Sequence, residues 1–129
     1  MDILYKHPKT GKEVRGASLP KKKGDYLYFV RLVPGPETER RLAYKIGTTD
    51  RPLERMKEHL RSYKYQYNIE VLWFSPCYSK YTTLRIEDRM KSWWIEQQAW
   101  EYIRNDRFII PTETKEIIIT VRKDYIIKI

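Results

Sequence analysis

The chain contains few of the residues on which many enzyme classes depend. Cys77 is the one cysteine among 129 residues, so neither an internal disulfide nor a four-thiolate zinc site can form. His7 and His59 are the two histidines, too few for a zinc-finger or HExxH pattern. The five glycines are scattered and build no phosphate-binding loop. Any catalytic metal must therefore be held by carboxylates.

Long apolar runs are also missing. No segment approaches the roughly 18 consecutive apolar residues that a membrane span requires, and the opening residues MDILYK lack the apolar region of a signal peptide. A lone cysteine is typical of a reducing compartment. We therefore expect a soluble, intracellular, cytoplasmic protein without a membrane partner.

Positive charge is abundant. Lys and Arg number 26 against 17 Asp and Glu, which gives a formal net charge of +9. Apolar residues make up 41% of the chain and aromatic residues 14%, enough for one folded domain. The charge favours a polyanionic partner, with nucleic acid first.

The chain divides into three segments by composition. Residues 1–24 form a basic N-terminal arm with seven Lys and Arg against two acidic residues, residues 25–111 form the core, and residues 112–129 form a C-terminal strand extension. The arm is either a solvated, partly disordered terminus or an element that tracks phosphates. The candidate nucleic-acid contacts are four cations: Lys21, Lys22, Lys23 and Arg51.

The hydrophobic patterns predict an α+β fold. Strands are expected at residues 26–33, 42–46 and 69–74, with one or two late strands at 116–121 and 125–129. A first helix is expected from Pro52 to about Tyr63, capped by Thr49 or Asp50. A helical stretch is expected at about residues 79–105, either bent or divided into two packed segments near residues 97–98. The expected order is β-β-α-β-α-β, a small central antiparallel sheet flanked by helices.

Three side chains of the first helix lie one turn apart on one face. They are Arg51, Arg55 and His59, next to the apolar stripe of that helix. Taken alone, cations at this spacing are typical of a solvated face. Their spacing indicates a function only in combination with the residues that precede the helix.

Three features follow one another along the chain: the run YLY at residues 26–28, the run YKIG at residues 44–47, and the pair Arg55 and His59. Together they resemble the GIY-YIG nuclease superfamily. The resemblance is to its small phage-associated branch, in which the second signature commonly reads Lys-Ile-Gly. It covers about residues 25–110, and the core would then be a nuclease core. If the chain is phage-encoded, the expected location becomes the host cell cytoplasm.

The resemblance implies a metal-dependent DNA endonuclease that hydrolyses phosphodiester bonds. Glu87 would hold one divalent cation, Mg²⁺ or Mn²⁺, and Arg55 would hold a nonbridging phosphate oxygen. Tyr28 would activate the water, with His59 relaying the proton or positioning the nucleophile. A tyrosine needs cationic neighbours to act as a base, and Lys45 is one candidate.

The chain departs from the signatures at two positions. Tyr26 stands where the first signature has glycine, and Lys45 stands where the second has tyrosine. Tyr44 is a further candidate for that second tyrosine, although one residue along a strand points to the opposite face. The alternative is that Tyr26, Tyr28 and Tyr44 are ordinary strand aromatics that pack a sheet.

The metal ligand also has alternatives. Glu87 could instead pair with Lys91 four residues on, as helix-surface carboxylates often do. Glu96 and Glu101 are other acidic residues of the same predicted helix. Asn105 is a further candidate site residue, or simply a helix C-terminal cap.

Two other functions remain open at this point. A DNA-binding module with the same fold but without catalysis would need the same cationic face, since both depend on phosphate contacts. A surface for an acidic protein partner would use Trp93, Trp94 and Trp100, although three tryptophans at helical spacing also suit a buried seam. A homodimer is compatible with the small size.

Overall fold

A computed structural model of the protein describes residues 2–77, 85, 87–89, 91, 101–103, 107–109, 118–122 and 125–128. In chain order these residues form β1 (Asp2–Lys6), β2 (Glu13–Gly16), β3 (Asp25–Pro34), β4 (Ala43–Thr49), α1 (Pro52–Ser62), β5 (Tyr67–Cys77), β6 (Glu101–Ile103), β7 (Arg107–Ile109), β8 (Ile118–Arg122) and β9 (Tyr125–Lys128). Residues 85, 87–89 and 91 are also helical.

The strands form a seven-stranded sheet in the order β1-β2-β5-β3-β4-β7-β6 and a separate pair, β8 with β9. Five strands of the larger sheet come from the first 77 residues. The sheet is mixed because β2 runs parallel to β5, whereas the other neighbours are antiparallel. The α+β class is confirmed, but the small central sheet is mixed and not antiparallel as expected, since β3, β4 and α1 carry the chain back to lay β5 parallel to β2.

Strand β3 lies in the middle of the sheet between β5 and β4. Five consecutive residues at its start, residues 26–30, are buried. A strand covered on both faces reads as a continuous apolar run rather than an alternation, and this explains the sequence YLYFV. The side chains of residues 26–30 are therefore held by packing on both faces of the sheet.

Helix α1 packs on one face of this sheet. Met56 and Leu60 are fully buried in one hydrophobic cluster that also contains Val30, Leu32 and Ile69 of the sheet. Burying an aliphatic side chain of this size contributes about 1.5–3 kcal/mol. Burial of this apolar stripe therefore sets the rotation of the helix, and with it the positions of Arg55 and His59 relative to the sheet.

The start of α1 differs from the expectation. Pro52 opens the helix, but Arg51 is the capping residue and no side chain caps the helix. The hydroxyl of Thr49 accepts a hydrogen bond from the backbone N–H of Arg51 at 2.9 Å, which is before the first turn. The predicted cap by Thr49 or Asp50 is therefore wrong, because Thr49 is still the last residue of β4.

The first 24 residues contain two strands of the sheet. Strands β1 and β2 pair with each other, and β2 pairs with β5 through Val14 and Ile69. Val14 is fully buried in the main hydrophobic cluster. Two parts of this segment, Asp2–Lys6 and Glu13–Gly16, are therefore held in the sheet.

The predicted long helix ends earlier than expected. Residues 85, 87–89 and 91 are helical, but Glu101–Ile103 is strand β6, which pairs with β7. Strand β7 in turn pairs with β4, with Phe108 opposite Tyr44. The expected bend near residues 97–98 lies outside the described residues. None of the helices in the described part of the chain combines the length and apolar character that a membrane crossing needs.

Candidate active site

The centre of the site is a hydrogen bond between Tyr28 of β3 and His59 of α1. The Tyr28 hydroxyl lies 2.6 Å from Nε2 of His59, and both side chains are buried, with 0% and 4% of their surface exposed. The two rings are 5.7 Å apart between centroids. The packing of α1 on β3 thus holds two titratable groups in direct contact, away from bulk water.

Gly47 makes room for the Tyr28 phenol. Gly47 faces Tyr28 across the β3–β4 ladder. A Cβ at position 47 would overlap both the hydroxyl oxygen and the adjoining ring carbon of Tyr28. The last residue of the YKIG run is therefore glycine because the phenol crosses directly over its α-carbon.

The protonation states of the two groups follow from their burial. Burial raises the pKa of Tyr28 above its ordinary value, against a smaller lowering by the Arg55 guanidinium. Burial, with help from the positive charges of Lys45 and Arg55, lowers the pKa of His59 to about 3. At neutral pH the phenol is protonated and the imidazole is neutral, so we assign the phenol as donor and Nε2 as acceptor.

Arg55 lies beside the phenol on the open side of the site. Its side chain is 42% exposed, and its Nη1 donates to a carboxylate oxygen of Glu58 at 2.9 Å. Burial alone would lower the pKa of Arg55, but the hydrogen bonds to Glu58 and Tyr28 outweigh it and raise the pKa. Arg55 is therefore a permanent cation between the phenol and solvent.

A cleft of about 550 Å³ opens along this face of α1. Its lining residues are Lys45, Arg55, Glu58, His59, Arg61, Ser62 and Tyr63. The residues of the lining carry three permanent positive charges and one negative charge. Lys45 is 6% exposed and adds its charge close to His59. A cleft with this balance favours an anionic ligand.

Glu87 approaches the site from the helical residues after β5. Its side chain is buried, with 8% of the residue exposed, and its negative charge is close enough to contribute to the raised pKa of Tyr28. An oxygen of Glu87 also lies 3.2 Å from Nζ of Lys91. The expected alternative, an ion pair with Lys91, is therefore observed, and the same carboxylate also acts on Tyr28.

The chemistry of these donors fits one Mg²⁺ or Mn²⁺ rather than a metal held entirely by protein. Within the described residues, no three His, Cys, Asp or Glu side chains come together as a metal-binding set. Mg²⁺ usually keeps several waters and takes one or two carboxylates plus substrate phosphate oxygens. A single buried carboxylate, that of Glu87, suits this pattern.

Some candidate residues lie away from the site. Tyr44 is on the opposite face of β4 from Lys45, where it stacks on Phe29 at 5.7 Å and lies under the Arg31 guanidinium. Tyr44 therefore packs on the face of the sheet that carries Phe29 and Arg31, away from the hydrogen bond between Tyr28 and His59. Glu101 begins strand β6 rather than continuing a helix. Glu96 and Asn105 lie outside the described residues.

The candidate nucleic-acid contacts lie at the end of the sheet where β3 begins. Lys21, Lys22 and Lys23 are exposed in the segment before β3. Arg51 is 66% exposed just before α1, 3.8 Å from the carboxylate of Asp50 and 3.5 Å from that of Glu58. All four cations are open to solvent, and Arg51 directly precedes the first residue of α1.

The structure adds one residue that the motif did not include. Glu58 holds Arg55 by a hydrogen bond and lies within ion-pair distance of Arg51. The hydrogen bond from Arg55 and the charges of Arg51 and Arg61 lower the pKa of Glu58. The sequence signal was present, because acidic and basic residues three apart on a helix are neighbours.

Comparison of the chain with protein-family models, with curated proteins and with solved structures finds no match. The geometry of the site is therefore the basis on which a function can be argued.

Proposed function

We propose that the protein is a metal-dependent endonuclease of the GIY-YIG type that hydrolyses phosphodiester bonds in DNA. The observation that carries this proposal is the buried hydrogen bond of 2.6 Å between Tyr28 and His59, with Arg55 beside it at the mouth of a cationic cleft. Tyr28 would act as the base, His59 as its proton acceptor and Arg55 as the cation that binds the phosphate oxygen. Attack of water on a phosphate requires these three roles close together.

The proton path follows the existing hydrogen bond. As a water attacks phosphorus, its proton passes to the Tyr28 oxygen while the phenol's own proton moves to Nε2 of His59. Because burial lowers the pKa of His59 to about 3, its Nε2 is unprotonated at neutral pH and accepts the hydrogen bond along which the proton would move. Tyr28 need not exist as a phenolate beforehand, which suits a buried phenol whose pKa is raised.

Charge at the phosphate is balanced from two sides. Arg55 holds a nonbridging oxygen, where negative charge accumulates in the transition state, and Glu58 keeps the guanidinium turned into the cleft. Lys45 is a second cation in the lining of the cleft, at the position where the family signature has tyrosine. Glu87 would hold the divalent cation, which when bound supplies charge to polarise the phosphate and stabilise the leaving 3′ oxygen.

The test is nicking of supercoiled plasmid DNA with Mg²⁺, with Mn²⁺ or with EDTA. Arg55→Ala and Glu87→Ala should each lose at least about 100-fold in nicking rate, because each removes charge stabilisation at the phosphate. Lys57→Ala and Asp88→Ala are the matched controls, since each removes one charge of the same sign from the same helical segment. A gel-shift assay on the same DNA measures binding separately.

The outcomes separate two functions. Metal-dependent nicking that is lost in the two site variants and kept in the two controls supports the nuclease. Binding with a steep salt dependence but no cleavage by any of the proteins would instead favour a non-catalytic DNA-binding module with the same fold.

A further inference from the structure

Tyr26 holds the backbone of an exposed loop from within the sheet. Its side chain is 5% exposed, and its hydroxyl donates a hydrogen bond of 2.6 Å to the backbone carbonyl of Lys22. The ring packs edge-on against Phe74, 6.2 Å between centroids. A rigid aromatic residue of β3 thus fixes one peptide group of the segment that precedes the strand.

That segment is a run of three lysines. We call Lys21, Lys22 and Lys23 the lysine loop; all three are exposed, as is Gly24 after them. Three adjacent positive charges repel one another, and exposed loops are normally mobile. A hydrogen bond from a buried phenol is therefore a device that keeps such a loop in one place.

The anchor also sets where the loop lies. Tyr26 and Tyr28 are two residues apart on one face of β3, and both rings contact Phe74, at 6.2 and 5.6 Å between centroids. Across the ladder Tyr26 faces Thr49, whose hydroxyl accepts a hydrogen bond from the backbone N–H of Arg51. The lysine loop and exposed Arg51 therefore share the end of the sheet next to the Tyr28 phenol.

The charge at this end stays positive. The acidic residues nearest in the chain are Asp25, at the start of β3, and Asp50, which is 3.8 Å from Arg51. Glu58 also lies 3.5 Å from Arg51 and 2.9 Å from Arg55, so three carboxylates stand against the three lysines, Arg51 and Arg55. A polyanion that reaches the cleft from this side meets a cationic surface first, held by Tyr26 two residues along β3 from Tyr28.

We propose that Tyr26 is a positioning residue that fixes the lysine loop as a subsite for the sugar-phosphate backbone of DNA, directly beside the Tyr28 site. The proposal rests on the proposed function for the identity of the polyanion. It adds that the affinity of this subsite depends on one buried hydroxyl group that touches no substrate.

The experiment measures DNA binding without cleavage. A short fluorescein-labelled duplex is titrated in EDTA by fluorescence anisotropy, from about 50 to 200 mM salt. The proteins are the wild type, Tyr26→Phe, a triple variant with all three lysines changed to Gln, and the combination of both. Tyr65→Phe is the matched control, because it removes a tyrosine hydroxyl beyond the other end of α1.

The expected result is a thermodynamic cycle in which the two changes are not additive. Tyr26→Phe should weaken binding about threefold to tenfold, the effect of one lost hydrogen bond. The triple variant should weaken it further and reduce the salt slope by about one for each lysine that contacts a phosphate. Adding Tyr26→Phe to the triple variant should change nothing more, since the hydroxyl then has no lysines to position.

A second measurement reports the loop itself. Trypsin should cleave after the lysines faster in Tyr26→Phe than in the wild type and in Tyr65→Phe, because the loop is released. Wild-type affinity in Tyr26→Phe, or a full additional loss when it is combined with the triple variant, would overturn the proposal. Nicking keeps the two proposals apart: if the wild type binds DNA and never cuts it, the nuclease is wrong while the non-additive cycle still stands.

Discussion

Two histidines of this protein are placed in opposite surroundings. His7 lies in the turn between β1 and β2, where its Nδ1 accepts hydrogen bonds from the backbone N–H groups of Lys9 and Thr10 at 3.2 and 3.1 Å. His59 is buried, and its Nε2 meets the phenol of Tyr28. The first imidazole completes a backbone turn, whereas the second is aimed at a titratable side chain. The partner of the ring nitrogen, and not the residue type, separates a structural histidine from a candidate catalytic one.

The glycines of the same two regions repeat the contrast. Gly11, in the turn with His7, has a φ of +73° and open space around its α-carbon. Gly47, in the site with His59, is required by space, since any Cβ would overlap Tyr28. One glycine serves backbone conformation and the other serves side-chain packing. Each contrast can therefore be tested with one pair of variants, a histidine pair and a glycine pair.

The largest difference between the regions should be in activity. His59→Gln should lower the plasmid nicking rate by about 10²–10⁴-fold, because the Tyr28 phenol loses the acceptor for its proton. His7→Gln should leave the rate unchanged, because the turn lies outside the cleft. Rates are measured at saturating DNA, and gel shifts check that both variants still bind.

Equal nicking rates in the two histidine variants would contradict the expected difference between His59 and His7. A loss in both would mean that the turn supports the cleft. Full activity in His59→Gln would mean that Tyr28 passes its proton elsewhere, and the proposed role of His59 would be wrong.

The second difference is in the pH dependence of stability. The pKa of His59 is about 3 in the folded protein, below the ordinary value of about 6.5 expected in the unfolded chain. The unfolded state therefore binds a proton first as the pH falls, and stability is complete above pH 6.5 and lost towards pH 3. At pH 4 this loss is on the order of 3 kcal/mol.

Urea unfolding between pH 7 and pH 4 measures this contribution. The wild type and His7→Gln should lose stability in parallel, whereas His59→Gln should show a flatter dependence. The carboxylates contribute equally to all three proteins, so the difference between the curves isolates His59. Parallel curves for His59→Gln and the wild type would show that His59 is not held neutral by burial.

The third test uses the glycines. Gly47→Ala should destabilise the fold by about 1–3 kcal/mol, since β3 and β4 must move apart to clear the added methyl group. It should also disturb the Tyr28 hydrogen bond and reduce nicking. Gly11→Ala should cost about 1 kcal/mol for its left-handed backbone and leave nicking unchanged. Thermal unfolding and nicking are measured on both, and a Gly47→Ala protein as active and stable as the wild type would contradict the overlap.

The sequence was most informative where apolar runs are long. The strands expected at residues 26–33 and 69–74 correspond to β3 and β5, because few other structures accept such runs of aromatic and β-branched residues. Strand β2 was missed because Val14 is its one fully buried apolar residue in a polar segment. Strand β6 was missed because aromatic residues near Glu101–Ile103 fit helical spacing as well as strand spacing.

The site shows the same limit in a different form. Spacing on a helix brought Arg55 and His59 together, and motif order placed Tyr28 opposite them, so these three positions could be predicted. The hydrogen bond from Tyr26 to the Lys22 carbonyl could not, because it depends on how a loop folds back over a strand. Local periodicity predicts which residues lie on the same face of a helix or strand. It does not predict which residues from distant parts of the chain contact that face.

The smallest effect is expected at the end of α1, where Tyr65 contacts the His7 ring at 4.7 Å between centroids. Lys64 and Tyr65 both have a φ of +56°. The N–H of Tyr65 donates to the carbonyl of Leu60 and that of Lys64 to the carbonyl of Arg61, the bonding of a Schellman motif. A lysine in this left-handed position carries a steric cost that glycine avoids.

Lys64→Gly should therefore stabilise the protein by up to about 1 kcal/mol, read as a higher urea midpoint with an unchanged slope. Lys64→Ala is the matched control: it removes the same charge but keeps the Cβ, so it should bring little or no gain. An equal gain in both variants would assign the effect to charge and not to conformation. Nicking should be unchanged in both variants, because Lys64 lies near His7 and away from the cleft. A glycine at position 64 would relieve backbone strain, whereas the glycine at position 47 makes room for the Tyr28 side chain.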